Sequence, residues 1–543
     1  MKILLHDDRT ILFQFPFNPV LTRQVKQLPN PQWQPPLAGW GVPYSPLAAY
    51  LTHKYFPQQE VYESETHARL APPQRPAPTT FPDSLFDFQR DGAHFLATKT
   101  GTIANDCPGS GKTRQALAAA ESPTLVICPA SVVYHWREEL KALYPHRQAG
   151  IVRGRRGELP NHNDLICSPG LLPARCRDLL LRTWGTVIVD EIHEYRNPDA
   201  LRTKALLAIS TRCPQVLGVT GTLIVNRIAD LFAPLAIIKQ LRPKDRHWFE
   251  VRYCGKTQPR VKTAWRQTPD GFTHEEELRS YLKTCVLHRT RADLQRFLPP
   301  LHRQAVTVPL ANQSEYAQTV STTTEWLRLC GTAAPPETKM IKLNKLRRLG
   351  AIGKVPAVID VAKHLVAAGE HVVIACSFLT PLRQLEAALP HTIRLDGGVP
   401  KARRQALVTY FQQSMQPQVA LCSILAAGVG ITLTRARYVL ILDLPWSPIY
   451  LEQLEARIHR ETQTRECYSY YFLGQDTTDP QMLAVLRKKA RWANRLFEGG
   501  DAVFIDPLAV LVDQLTSANP TTHTPLVTTA PAVDLTTGST MAA

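Results

Sequence analysis

DCPGSGKTRQAL, residues 106–117, is the stretch on which the fold turns. Gly109 and Gly111 flank Ser110, and Lys112, Thr113 and the helix-forming run RQALAAA follow at once. GTIA, just upstream, reads as a short strand. A strand that breaks into a glycine-rich turn and restarts as a helix gathers free backbone N–H groups and the positive end of a helix dipole around one point. That arrangement cradles phosphate. Lys112 would then reach the β- and γ-phosphates of a nucleotide, and the Thr113 hydroxyl would hold Mg²⁺. Asp106 stands where the usual pattern has its first glycine.

A second motif lies about 80 residues on. In VIVDEIHEY, an apolar run carries the chain to the carboxyl edge of a sheet and ends in Asp190 and Glu191. Open α/β sheets bind ligands at that edge. Asp190 is placed to hold Mg²⁺ and Glu191 to orient and deprotonate an attacking water; His193 is placed to contact the γ-phosphate or a residue that senses it.

The same texture extends outward. TLVICPA, GTVIVDE and QVLGVTG in one half, and HVVIACS, QVALCSI and YVLILDL in the other, are continuous apolar runs between helical patterns. Such runs belong to parallel strands buried on both faces. Two clusters of them, separated by a mostly helical stretch from about 225 to 365, predict an α/β chain with two parallel-sheet lobes. With 543 residues the chain exceeds one usual core. We expect a small accessory domain over 1–70, a proline-rich linker over 71–82, lobes over 83–300 and 301–480, a helical brace over 481–514 and a disordered Thr-rich tail over 515–543.

Composition bounds the partners. The formal charge is +17, from 63 basic against 46 acidic residues, which favours a polyanion. No apolar run reaches the roughly 18 residues needed to span a bilayer, and MKILLHDDRT does not read as a secretion signal, so no membrane partner is expected. The 11 cysteines include no C-x-x-C pair, so they read as reduced, buried thiols rather than zinc ligands.

Asp-Glu-x-His after a strand, downstream of a GKT turn, resembles the motors of helicase superfamily two. LFDFQRDGAHFL resembles their adenine-recognition segment, with Gln89 as base reader, and LVICPASVVYHWREEL places Pro129, Ala130, Ser131 and Trp136 in family positions. GVTGTLIVN resembles the coupling motif as Thr220, Gly221 and Thr222, with Leu223 in place of its proline. ILAAGVGITLTRARYVLILDLPWSPIYLEQLEARIHRETQ resembles the Swi/Snf-type double-stranded DNA translocases, through Gly428, Gly430, Asp443, Trp446, Pro448, Gln453, Arg457, Arg460 and Gln463. Ile431 and Thr462 depart from that pattern. Arg289 and Arg291 fall in the family's Arg-rich element before the lobe junction. The resemblance covers about residues 83–475 and implies two RecA-like lobes with ATP between them.

On that reading Gln89, Gly109, Ser110, Gly111, Lys112, Thr113 and Gly430 bind nucleotide, Thr113 and Asp190 hold Mg²⁺, and Asp190, Glu191, Gln453, Arg457 and Arg460 carry the chemistry. Arg457 and Arg460 lie three apart, so one helix can present both on the same side. VKQLPNPQWQPPLAGWGVPYSPLAAYL also resembles the HARP domain of annealing helicases, through Val25, Lys26, Leu28, Pro29, Trp33, Trp40, Pro43 and Tyr50. That resemblance implies engagement of branched DNA.

The function expected is an ATP-dependent translocase on double-stranded or branched DNA, in the cytoplasm of a bacterium or phage host or in a eukaryotic nucleus. A strand-separating helicase and a non-catalytic DNA-binding scaffold stay open as alternatives. Four basic clusters, RGRR (153–156), KLRR (345–348), KARR (401–404) and RKKARWANR (487–495), are candidate phosphate contacts or solvated faces.

Overall fold

The fold was obtained as a computed structural model, which describes residues 1–498 except 8, 59–60, 64–65, 71–73, 77, 79, 225–226, 256–272, 331–334 and 425–430, together with 511–512 and 515. Gly428, Gly430 and the tail from 516 onward lie outside the described residues. Among those described, no helix is long and apolar enough to cross a membrane.

The strands fall into three sheets. A four-stranded antiparallel sheet is formed by β1 (Lys2–His6), β2 (Thr10–Gln14), β3 (Gln32–Gln34) and β4 (Gly39–Pro43), in the order β1-β2-β4-β3. The helices that pack on it start at side-chain caps. Asn18 accepts from Val20 and Leu21 N–H at the head of Pro19–Val25, and Ser45 accepts from Ala48 N–H at the head of Pro46–Tyr55.

The second sheet has seven strands, all parallel: β5 (Gly101–Ala104), β6 (Thr124–Ile127), β7 (Ala149–Ile151), β8 (Asp164–Cys167), β9 (Thr186–Asp190), β10 (Gln215–Val219) and β11 (Val286–Leu287), in the order β11-β5-β10-β9-β6-β8-β7. This order positions the site. Val219, the last residue of β10, pairs with Ala104 on one side and Asp190 on the other. The turn after β5, the Thr220 turn and the Asp190–Glu191 pair therefore emerge side by side, within about 10 Å across the carboxyl edge.

The third sheet has six parallel strands: β12 (Leu301–Val308), β13 (Val372–Cys376), β14 (Thr392–Leu395), β15 (Val419–Ser423), β16 (Tyr438–Ile441) and β17 (Cys467–Gly474), in the order β12-β17-β16-β13-β15-β14. Two parallel α/β sheets in sequence agree with the fold class read above. The stretch expected to be mostly helical also contributes two strands: β11 closes the second sheet and the eight-residue β12 forms one edge of the third.

Two features bind the parts together. Among the described residues, the core under the N-terminal sheet is continuous with that of the second sheet. Ile3, Ile11, Phe13, Val25 and Leu47 share one apolar cluster with Leu278, Tyr281 and Leu282 beneath the second sheet. At this seam the buried Glu277 accepts from Tyr55, Tyr253 and both Nε and Nη2 of Arg252. The helix Asp479–Glu498 spans both lobes: Met482, Leu483 and Leu486 pack into the third sheet's core, and Trp492 and Leu496 into the first cluster. Arg495 pairs there with Glu275 at 2.5 Å.

Candidate active site

The turn after β5 has the backbone of a phosphate cradle. Gly109 and Gly111 have φ of 88° and 71°, which side-chain-bearing residues rarely adopt. A Cβ on Gly111 would come 2.2 Å from Gln89 Nε2 and one on Gly109 2.8 Å from the His459 carbonyl oxygen, so glycine is demanded by space as well as by φ. Helix Lys112–Ala118 starts at the second glycine. Lys112 Nζ donates to the carbonyls of Asp106 and Cys107 at 2.8 and 3.0 Å, and burial lowers its pKa.

Asp106 is fully buried, and its carboxylate is gripped by Arg289, with Nε at 3.1 Å and Nη2 at 2.5 Å. Arg289 also donates to the Phe88 carbonyl and to Gln115 Oε1. Gln89 and Ser110 do not line the cleft. The Gln89 amide accepts from Phe86 N–H and donates to the Ser110 carbonyl at 3.3 Å, bracing the turn from behind.

At the end of β9, Asp190 Oδ2 accepts from Trp136 Nε1 at 2.9 Å and Oδ1 from the Glu191 N–H at 3.0 Å. Burial, and then the charge of Glu191, push the Asp190 carboxyl up to about 7. Glu191 has a left-handed backbone, φ 49°, which turns its side chain out of the strand line; burial raises its pKa. His193 Nδ1 lies 2.8 Å from Thr220 Oγ1. Thr220 spends its hydroxyl proton on the Thr222 carbonyl, so His193 Nδ1–H is the donor in this contact. Burial drops the His193 pKa to about 4, leaving a neutral ring at neutral pH. Leu223, at the departure from the family pattern, is buried in the first core.

The opposite wall comes from the third sheet. After β16, Asp443 accepts from Ser377 N–H at 2.6 Å and from Arg347 at 2.7 Å. Arg347 and Trp446 Nε1 both donate to Asn344. These bonds aim helix Ile449–Glu455 and the turn beyond it at the second sheet; Arg457 and Arg460 stand on that turn, not on one helix as expected. Gln453 Nε2 donates to Glu191 Oε1 at 3.1 Å. Arg457 is held by the carbonyls of Gln453 and Ile431, and Arg460 by Thr432 Oγ1. Burial and the neighbouring Arg460 lower the Arg457 pKa to about 10.

Between these walls lies a cleft lined by Gly109, Gly111, Lys112, Thr113, Asp190 and Glu191 on one side and by Gln453, Arg457, Arg460 and Glu461 on the other. Cations converge there on two half-buried acids, a setting suited to a polyanion with a reacting centre. Sequence reading overlooked His135, Glu139 and Arg114, which also line the cleft. His135 and Glu139 lie one turn apart on helix Val133–Leu143, and burial next to Arg460 and Arg457 drops the His135 pKa to about 4.

The basic clusters divide. Arg153, Arg155 and Arg156 are exposed. In KLRR, Lys345 and Arg348 are exposed but Arg347 points inward to Asp443. Arg404 donates to the Asp396 carbonyl, and Arg495 pairs with Glu275.

The SNF2-related domain matches residues 47–352, and the helicase conserved C-terminal domain residues 354–462. Among curated relatives, the Mus musculus protein named DNA annealing helicase and endonuclease ZRANB3 is 29% identical over 440 residues, covering 76% of this chain and 41% of the relative. A Caenorhabditis elegans homolog of SWI/SNF-related matrix-associated actin-dependent regulator of chromatin subfamily A-like protein 1 is 26% identical over 526 residues, covering 89% of this chain and 74% of the relative. Among solved structures, the Sulfolobus solfataricus SWI2/SNF2 ATPase core in complex with dsDNA is 21% identical with a TM-score of 0.37, covering 79% of this chain and all of that one. This chain thus spans about two-fifths of the length of the mouse relative. With more than half of its residues matched by the first domain, the chain belongs to the SNF2-related family.

Proposed function

We propose that this chain is an ATP-dependent motor on double-stranded DNA that remodels or reanneals branched structures such as forks. The observation that carries the reading is the Gln453–Glu191 contact across a cleft whose walls come from two different sheets. The name of the mouse relative, a DNA annealing helicase, supports the choice of substrate.

In this reading Lys112 exchanges its carbonyl bonds for oxygens of the β- and γ-phosphates. The glycine turn and the start of helix Lys112–Ala118 fit that group: their positive φ values expose backbone N–H donors, and no Cβ intrudes. Thr113 and Asp190 would hold Mg²⁺, which neutralises charge on the phosphate oxygens. Trp136 and the Glu191 N–H fix the orientation of Asp190 for that task.

Glu191 takes the proton of the attacking water. Its raised pKa brings it closer to that work at neutral pH, and Gln453 holds the other end of the carboxylate. Arg457 and Arg460 stabilise charge spreading over the transferring phosphoryl group, worth about a thousandfold or more. Gln89, buried behind the turn, acts on the nucleotide only by bracing that turn. Because the arginines belong to the other lobe, hydrolysis is coupled to lobe closure.

ATP turnover measured side by side with single-stranded, duplex and forked DNA tests the reading. Stimulation by duplex or fork, lost in Lys112→Ala and Glu191→Gln, is expected. Turnover unchanged in both variants would overturn the site, and strong unwinding without duplex tracking would overturn the translocase.

A further inference from the structure

Two arginines stand outside the cleft, on the strap that joins the sheets. The strap leaves β11 alongside the phosphate turn: Asn105 N–H donates to the Leu287 carbonyl at 2.7 Å and Cys107 N–H to the Arg289 carbonyl at 2.9 Å. Arg289 closes on Asp106, within that turn. Two residues later Arg291 points the other way. Its Nη1 lies 2.7 Å from His459 Nδ1, and its Nη2 3.7 Å from Glu455 Oε2. Further along, the Pro299 carbonyl meets His459 Nε2 at 2.6 Å.

These contacts fix the proton on His459. A guanidinium only donates, so Nδ1 must accept; a carbonyl only accepts, so Nε2 must carry the hydrogen. Burial, with Arg291 beside it, lowers the His459 pKa to about 4 and keeps the ring in that neutral form. Glu455 is fully buried. Burial alone would raise its carboxyl, but Arg303, which bonds it at 2.9 and 2.7 Å, and Arg291 hold it below the usual range. The turn carrying Arg457, His459 and Arg460 is thereby pinned to the strap at both edges. Its other face meets the phosphate turn, the His459 carbonyl lying against Gly109.

We propose that Arg291 is a positioning residue: through His459 and Glu455 it seats Arg457 and Arg460 against the phosphate turn, while Arg289 ties the same strap to that turn through Asp106. One short segment thus sets the spacing between the two halves of the site. Arg289 and Arg291 do not line the cleft, so they act on the reaction only through the groups they hold. The inference rests on the reading of the cleft as an ATPase site.

The test uses the full chain as wild type, Arg291→Ala, Arg291→Lys, His459→Ala and the double variant Arg291→Ala/His459→Ala. ATP turnover is measured with saturating duplex DNA, and binding is measured for ADP alone and for ADP with aluminium fluoride. Arg291→Ala is expected to lower kcat by about a hundredfold, the scale of a misplaced catalytic group. ADP binding should stay within about twofold, while the extra tightness of the aluminium fluoride complex is lost. Lys keeps the charge but not the fork, so Arg291→Lys should fall between; its split between kcat and ADP affinity decides the matter should the alanine variant fail to fold. The double variant should be no worse than the poorer single. Turnover within about twofold of wild type, parallel loss of ADP binding, or additive singles would each overturn the inference alone. A wild-type chain with no DNA-stimulated turnover would overturn the reading of the cleft, and this inference with it.

Discussion

Gln453 of the second lobe donates a hydrogen bond to Glu191 of the first across 3.1 Å. The two residues are 262 positions apart in the chain, and this contact makes the acid of one sheet answerable to the helix of the other. Gln453→Ala removes the donor without adding charge. It is expected to lower kcat between about tenfold and a hundredfold while leaving nucleotide affinity nearly unchanged. Steady-state turnover together with equilibrium ADP binding checks this.

Trp136 holds Asp190 through its indole N–H. Trp136→Phe keeps an aromatic ring in the buried position and deletes only that donor. Outer partners of this kind are worth about tenfold to a hundredfold in metal affinity or activity. A Mg²⁺ titration of ATP turnover should shift to higher concentration accordingly, and an unshifted titration would deny Trp136 the role.

The seam between the N-terminal sheet and the first lobe is expected to weaken in acid. The Glu277 pKa falls from the usual 4.5 to about 2: burial opposes the shift, but bonds from Arg252, Tyr55 and Tyr253 outweigh it. A depressed carboxyl stabilises the fold above its unfolded value and loses that contribution as the pH falls through its folded value. Stability to urea should therefore drop between about pH 4.5 and pH 2. Glu277→Gln should flatten that part of the profile while lowering stability at neutral pH.

Lys354 is fully buried and pairs with Asp479 at 2.5 Å, where the lobe-spanning helix begins. Lys354→Ala leaves a buried carboxylate without its partner, at a cost of about 3–5 kcal/mol. Lys354→Ala/Asp479→Asn should recover part of that loss in urea unfolding.

Much of this architecture is legible in the sequence because parallel strands buried on both faces read as unbroken apolar runs: TLVI, TVIVD, VVIAC and VALCS all became strands. Edge and irregular strands are not so marked. β12, LHRQAVTV, is broken by the polar run His302, Arg303 and Gln304 at a sheet edge, and β8 opens on Asp164, whose charge is absorbed by Arg147. The GKT turn and the Asp-Glu pair are local in sequence and thus readable. Trp136 with Asp190, Asp106 with Arg289, and Arg291 with His459 are 54, 183 and 168 residues apart, so only folding reveals them. The KLRR cluster shows the converse: Arg347 reads as a surface charge but is consumed inside the lobe by Asp443.

The central claim is that Arg457 and Arg460 serve the nucleotide held by Lys112. Single-turnover hydrolysis of bound ATP, with duplex DNA present, tests it most directly in Arg457→Ala and Arg460→Ala. Both variants are expected to bind ATP yet hydrolyse it about a thousandfold more slowly or worse. Hydrolysis at the wild-type rate in both would contradict it.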